Sequence, residues 1–265
     1  MIIDCLNIPC EMNQITVGCD PEFELIRDNK IIRAYCNTYD HDHALGSDID
    51  TIEIRPQYSI YSNFVINKFE MAMLRLYKQG FKASIKGAKY PLGGHIHIGF
   101  TPEKVRENIL RRYYTKDGLY AGRLNFNNLV SLMDWLFGKL VMDLSHKHRK
   151  NCGYGKLTDS YTKYYGIEYR TPPSTIFHNR IMLSICFKIA KRIAYIFCNN
   201  EQIDLPYPIN IKGVFNILGL SRGELKEFLL QKRFLRKLIN SEDNIVLIDY
   251  PILNEYLTKE ERKVA

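Results

Sequence analysis

The stretch Gly93-Gly94-His95-Ile96-His97-Ile98-Gly99 sets two imidazoles one residue apart between isoleucines, with glycine at both ends. In an extended chain residues i and i+2 share a face, so His95 and His97 stand together, opposite Ile96 and Ile98. Three other segments repeat the pattern. Cys19-Asp20-Pro21-Glu22-Phe23-Glu24-Leu25 gathers Asp20, Glu22 and Glu24 on one side and Phe23 and Leu25 on the other. Ile52-Glu53-Ile54-Arg55 pairs Glu53 with Arg55, and Ile167-Glu168-Tyr169-Arg170 pairs Glu168 with Arg170. Antiparallel sheets commonly leave one face wet, but such a face is ordinarily dressed with Thr, Ser, Lys and Gln. Here carboxylate, imidazole and guanidinium fill the positions. A carboxylate cluster repels itself unless divalent cations or arginines neutralise it, which predicts a metal-and-anion site on the polar side of a sheet.

A His-x-His pair could serve zinc. No CxxC pair or HExxH accompanies it, and the carboxylate majority favours the hard cations Mg²⁺ or Mn²⁺, with one histidine as a minority ligand. Magnesium in such company holds phosphates. Arg55, Arg170 and the basic run His148-Arg149-Lys150 could meet phosphate oxygens, because guanidinium matches them bidentately. The implied chemistry is phosphoryl transfer from a nucleotide, driven by positioning and charge neutralisation.

The elements needed to hold these groups alternate between strand and helix without doubly wound order. Ile15 to Ile26 is expected as a strand, with Lys30 to Tyr35 as its hairpin partner across Asp28-Asn29. Thr51 to Arg55 is a strand stopped by Pro56. Val65, Phe69, Ala72, Met73 and Leu76 recur at helical spacing, and Phe81 to Ile85 and His95 to Phe100 are strands. Leu129, Leu132, Met133, Leu136, Leu140 and Leu144 mark an amphipathic helix. Gly166 to Thr171 is a strand stopped by Pro172-Pro173, and a long helix follows from about Thr175. Leu205-Pro206-Tyr207-Pro208 looks like a linker, and Ser221-Arg222-Gly223-Glu224 has capping-box spacing before an apolar helix. The expected class is α+β, a mainly antiparallel curved sheet with helices packed on one face. A catalytic domain over 1–200 and a helical C-terminal extension over 201–265 are expected.

With 265 residues, 46% of them hydrophobic, the chain can bury a sizeable core. The net charge of +8 invites an anionic partner. Part of that excess lies in helical runs such as Lys232-Arg233-Phe234-Leu235-Arg236-Lys237, expected as a solvated face. No nucleic-acid motif appears, so nucleic acid is not an expected partner. The seven cysteines form no CxxC pair, and the start MIIDCLNIPC lacks a basic segment followed by an apolar run. Reduced thiols in a cytoplasm fit both facts. Arg180, Lys188, Lys191 and Arg192 interrupt the most apolar helix, which argues against a membrane span.

Gly18-Cys19-Asp20-Pro21-Glu22-Phe23, Glu53-Ile54-Arg55-Pro56, the His95/His97 stretch and Gly166-Ile167-Glu168-Tyr169-Arg170-Thr171-Pro172 together resemble the phage-type COOH–NH₂ ligases. These are amidoligases of the glutamine synthetase-like superfamily, with glutamate–cysteine ligases as relatives. The resemblance spans roughly residues 17 to 175 and does not extend to the C-terminal region. It implies a glutamine synthetase-like catalytic fold with Asp20, Glu22, Glu53, His95 and Glu168 as metal ligands. It implies Arg170, Arg55 and Arg149 as contacts to phosphates or acyl-phosphate; His97, on the same face, is expected to touch substrate, and the basic loop places Lys150 and Lys156 with Arg149 and Arg170 as expected contacts to ATP. Glu24 has no counterpart and is expected in a salt bridge. Asp20 stands where glutamine synthetase has glutamate, and that enzyme's ammonium-site loop is not matched. The implied reaction joins a carboxylate to an amine, each a small molecule or a peptide, using ATP and Mg²⁺. The implied setting is cytoplasmic, that of a virus-infected host cell included, and an oligomer is compatible with it.

Three further segments carry residues capable of chemistry. The glycine-containing run Arg149-Lys150-Asn151-Cys152-Gly153-Tyr154-Gly155-Lys156 lacks the GxxxxGK[ST] pattern and could close over nucleotide or be a plain connection. Asp40-His41-Asp42-His43 is expected as a solvated loop. Cys152 has no base placed for it by sequence. Rival functions are a guanidino-kinase-like phosphotransferase, a non-catalytic viral or structural protein on a ligase fold, and a metal-dependent nuclease.

Overall fold

The computed structural model describes residues 1–6, 10–34, 44–48, 50–101, 121–205, 207–208 and 210–264. In chain order the elements are β1 (Ile2–Asp4), β2 (Ile15–Cys19), β3 (Glu22–Arg27), β4 (Lys30–Ile32), β5 (Leu45–Asp48), β6 (Thr51–Ile54), α1 (Ser62–Lys78), β7 (Lys82–Ser84), β8 (Ile96–Phe100), α2 (Ala121–Met133), α3 (Lys147–Asn151), β9 (Ser160–Lys163), β10 (Gly166–Tyr169), α4 (Arg180–Asn199), β11 (Gln202–Asp204), α5 (Ile211–Ile217), α6 (Arg222–Ile239) and α7 (Pro251–Val264). The Asp40-His41-Asp42-His43 loop lies outside the described residues.

The strands form two larger antiparallel sheets rather than one continuous layer. One has the order β2-β8-β10-β9, and the other β4-β3-β6-β5 with β7 also paired to β3. They meet where β2 runs into β3 through Asp20-Pro21. Pro21 has no N–H to give a ladder, so the strand expected from Ile15 to Ile26 is broken there. The bend keeps backbone bonds across the gap, Asp20 N to His95 O at 3.4 Å and Glu22 N to Gly93 O at 2.8 Å. The result is an α+β fold with a curled antiparallel sheet. Asp28 and Asn29 take positive φ of 50° and 56°, which folds β4 back onto β3 as a tight hairpin.

Alternation assigns the two faces. Val17, Cys19, Ile96, Ile98, Ile167 and Tyr169 are buried on one side, and α1 and α4 pack there against the strands. Helix α4 begins at Arg180, capped by the Asn179 side chain accepting from Met182 N; residues Ser174–Phe177 form a separate 3₁₀ turn. The amphipathic helix marked by Leu129 to Leu144 widens into a π turn over Asp134–Gly138. Buried Asp134 accepts from the Tyr169 hydroxyl at 2.7 Å and from Thr158 N at 2.9 Å, and burial pushes its carboxyl pKa up.

The region after residue 200 is joined to the rest by strand as well as helix. β11 pairs with β1, and Ile85 N and Ile248 N bond Val246 O and Ala83 O beside β7. Ser221 and Glu224 make the reciprocal cap that their spacing predicts, and α7 packs on α1. Lys232, expected on a solvated face, is instead buried: its ammonium reaches the Leu140 carbonyl and lies 3.0 Å from Asp143. Among the described residues no helix is long and apolar enough to cross a membrane.

Candidate active site

Strand register builds the site in rows. Gly18 of β2, His97 of β8, Glu168 of β10 and Tyr161 of β9 are successive cross-strand partners and share one face. One step further along lie Asp20, His95 and Arg170, each just beyond the named end of its strand. Across the bend, Glu22 of β3 sits directly opposite Glu53 of β6. The polar face inferred from alternation therefore becomes the concave side of the curl.

The structure brings Asp20, His95 and Glu168 together, with one ligand atom from each lying within 4.8 Å of the others. Asp20 Oδ1 is 3.0 Å from His95 Nδ1 and 2.8 Å from His97 Nε2, and Glu168 Oε1 is 3.6 Å from His95 Nδ1. Glu22 Oε1 is 3.8 Å from His95 Nε2, and its Oε2 accepts from Gly93 N at 2.6 Å. Glu53 is paired with Arg55 and stands outside the close triad. Two carboxylate oxygens and one imidazole nitrogen form a donor set compatible with a hard divalent cation.

The charges of the face are mutually arranged. Burial alone would raise the Asp20 carboxyl, but hydrogen bonds and positive charge from His95 and His97 hold it well below the ordinary carboxylate range. Burial disfavours charging His95, yet its Asp20 hydrogen bond and the charges of Glu22 and Asp20 outweigh that and raise its pKa. Burial raises Glu53 too, with the Asp20 charge adding to the effect and Arg55 opposing it. Lys163 Nζ sits 2.6 Å from Glu168 Oε2, and Arg170 Nε lies 3.5 Å from Glu168 Oε1.

Three residues at the centre had no role assigned from sequence. Tyr154 lies 2.6 Å from His95 Nε2, donates to Glu22 Oε1 at 3.0 Å and receives Arg170 Nη2 at 3.0 Å. Burial and the Glu22 charge push its phenol far up, so it stays a neutral donor. The Tyr165 ring stacks on His97 and its hydroxyl meets His97 Nδ1. Lys163 is the third. A usable signal existed: Gly153-Tyr154-Gly155 sets a tyrosine between glycines that take positive φ of 70° and 64°. Tyr154→Phe is expected to leave the melting temperature nearly unchanged and to lower Mg²⁺ affinity or turnover by roughly 10- to 100-fold, the usual weight of a group that orients a ligand. Calorimetric Mg²⁺ titration checks this.

Other expectations meet a different geometry. The basic run around His148 is a short helix, α3, capped by His146. Arg149 is buried and spends its guanidinium on one hydroxyl and three carbonyls: Nη1 donates to Ser145 Oγ at 3.2 Å and Thr171 O at 3.1 Å, and Nη2 donates to Arg170 O at 2.8 Å and Pro172 O at 3.0 Å. This engagement leaves no fork facing outward for phosphate. Gly155 makes room for it, since a Cβ there would fall 1.7 Å from Nη2. Lys150 and Lys156 are exposed on the connection that carries Tyr154. Among the described residues Glu24 has no salt-bridge partner; it is fully buried, and Oε1 accepts from Lys89 N at 2.6 Å and Tyr90 N at 3.1 Å. Exposed Cys152 has its Sγ 4.0 Å from His148 Nε2, a contact one helical turn apart.

No protein-family model and no curated protein matches this chain. A solved structure described as a novel glutamine synthase homolog matches with a TM-score of 0.47 and 11% identity, covering 88% of this chain and 68% of that one. A likeness of that size carries no argument about chemistry. The residues themselves must carry it.

Proposed function

We propose that the protein is an ATP- and Mg²⁺-dependent carboxylate–amine ligase that forms an amide through an acyl-phosphate. The observation that carries this reading is the packing of Asp20, His95 and Glu168 within one metal-sized cluster, with Glu22 and Arg170 against it. The motif order that resembles the phage-type COOH–NH₂ ligases supports it from the sequence side.

A carboxylate is a poor acyl donor because oxide is a poor leaving group. The γ-phosphoryl group of ATP would pass to the substrate carboxylate, releasing ADP. The amine nitrogen would then attack the acyl carbon, the carbon–oxygen bond to phosphate would break, and amide, phosphate and a proton would leave. Bound Mg²⁺ or Mn²⁺ would neutralise the phosphates. Within the chain, Asp20, His95 and Glu168 would hold the cation, with Glu22 and Glu53 flanking. Tyr154, bonded to Nε2, orients the His95 ring so that Nδ1 faces Asp20 and Glu168. Arg170, anchored by Tyr154 and Glu168, would stabilise charge on the transferred group, and Arg55 sits at the rim.

Incubating the protein with ATP, Mg²⁺ and paired acids and amines is expected to release ADP and phosphate only when both partners are present. Mass measurement should show a product lighter than their sum by one water. A stable phosphorylated acceptor without condensation would favour the phosphotransferase instead. Cleavage of DNA or RNA in Mn²⁺ would favour a nuclease.

A further inference from the structure

Beside the metal-sized cluster, on the same face, lies a cavity of about 160 Å³. Its walls are the rings of Tyr58, Tyr165 and His97, with Asp20 and Arg55 also lining it. The Tyr58 and Tyr165 planes are within 17° of parallel, with centroids 6.5 Å apart. The ligase reading gives parts to Asp20, Arg55 and His97 but none to Tyr58, and it names no occupant for the cavity they share.

The fold builds the cavity deliberately. Pro56 ends β6, and the chain then crosses to β2, where Val17 and Ser59 exchange both backbone hydrogen bonds at 2.9 Å. That bridge sets Tyr58 directly over Gly18, where a Cβ would come 3.1 Å from the Tyr58 Cβ. Tyr165 arrives from the β9–β10 turn, its carbonyl accepting from Phe100 N at 3.2 Å. Gly99 leaves bare backbone beneath it: a Cβ there would fall 2.5 Å from Thr16 Oγ1 and 3.4 Å from the Tyr165 ring. Two glycines and two tyrosines from four separate segments thus leave one small opening.

Size and charge then select the occupant. Drug-sized ligands occupy pockets of roughly 300–1,000 Å³, so this space is too small for a nucleoside triphosphate. Aromatic faces attract a cation, which Asp20 also attracts. Arg55, half exposed, gives Glu53 one amino group through Nη2, and a guanidinium carries five N–H donors in all. Among the described residues Glu53 is the one carboxylate it meets, so donors remain for a second. An acidic group and a guanidinium lining one small aromatic cavity match a molecule bearing both charges.

We propose that this cavity binds the amine substrate as a small α-amino acid, ammonium toward Asp20 and the tyrosine faces, carboxylate toward Arg55. For the reaction it serves, the proposal rests on the ligase reading; as a binding site it is measured without it. Asp20 belongs to both the cavity and the cluster, and His97 of the cavity wall lies 2.8 Å from it, so an amine held here lies beside the place where an activated acyl group would form.

The test is calorimetric titration of the full chain with each of the standard amino acids, with and without Mg²⁺ and a non-hydrolysable ATP analogue. At least one amino acid is expected to bind. Its decarboxylated and its N-acetylated counterparts should each bind about tenfold more weakly or worse, the weight of one lost charged contact. Tyr58 is exposed, so Tyr58→Ala leaves the core intact; it should weaken binding by a similar factor, while Tyr58→Phe retains it. The proposal is overturned if no amino acid binds in either condition, if the decarboxylated amine binds equally well, or if Tyr58→Ala binds like the parent chain. The ligase reading fails separately, by absence of ADP in every mixture, and that result leaves an amino acid bound in the cavity standing.

Discussion

Glu168→Gln is expected to lower ADP formation by roughly 10²- to 10³-fold, and to remove most Mg²⁺ binding in a calorimetric titration. The substitution keeps shape and hydrogen-bonding reach but deletes the charge, so the loss reports electrostatics rather than packing. In a buried, pre-arranged site one such group typically carries an effect of this order on the transition state. Glu168 is 5% exposed and its carboxylate meets His95, Lys163 and Arg170, so its charge acts in a poorly screened setting. Turnover that survives Glu168→Gln with its Mg²⁺ dependence intact would remove the cluster from the mechanism.

The second large effect separates two arginines that sequence treats alike. Arg149→Ala is expected to destabilise the fold by roughly 3–5 kcal/mol, because three buried carbonyls lose their donor and a void opens. For a chain of this size that corresponds to a melting temperature lower by roughly 10 °C. Arg170→Ala is expected to shift melting little, since its guanidinium faces the concave side beside Tyr154 and Glu168, yet to lower ADP formation by roughly 10²-fold or more. Thermal unfolding of both variants beside an ADP assay gives the comparison. Equal melting curves for the two would contradict the carbonyl cage as the role of Arg149.

What could be read in advance follows from what is local. The pairing of His95 with His97, Glu53 with Arg55 and Glu168 with Arg170 needs only strand alternation, which any extended segment obeys. The Ser221–Glu224 cap likewise involves groups three residues apart. The division into two sheets was signalled by Pro21, a residue that a central strand does not tolerate. Harder to read were groups delivered by connections. Tyr154 and Tyr165 reach His95 and His97 from 59 and 68 residues away, and nothing in their own segments states that distance. Arg149 illustrates the opposite error. A basic residue near glycines suggests an anion, whereas its partners are carbonyls of Arg170, Thr171 and Pro172, invisible until the helix and strand are packed. Glu24 shows the same effect, since its amide partners at Lys89 and Tyr90 lie on a turn no pattern links to it.

The concave face carries its own counterions. Arg55 answers Glu53, Lys163 and Arg170 answer Glu168, and Asp20 lies within hydrogen-bond distance of both His95 and His97. A face so balanced has no need of magnesium to fold, unlike a small domain whose ligands cannot assemble without their ion. Chelation should therefore silence such a protein without melting it. On the proposed reading, loading would be an exchange of partners on a finished scaffold: carboxylates drawn to a divalent ion would free their basic partners for the phosphates of a nucleotide.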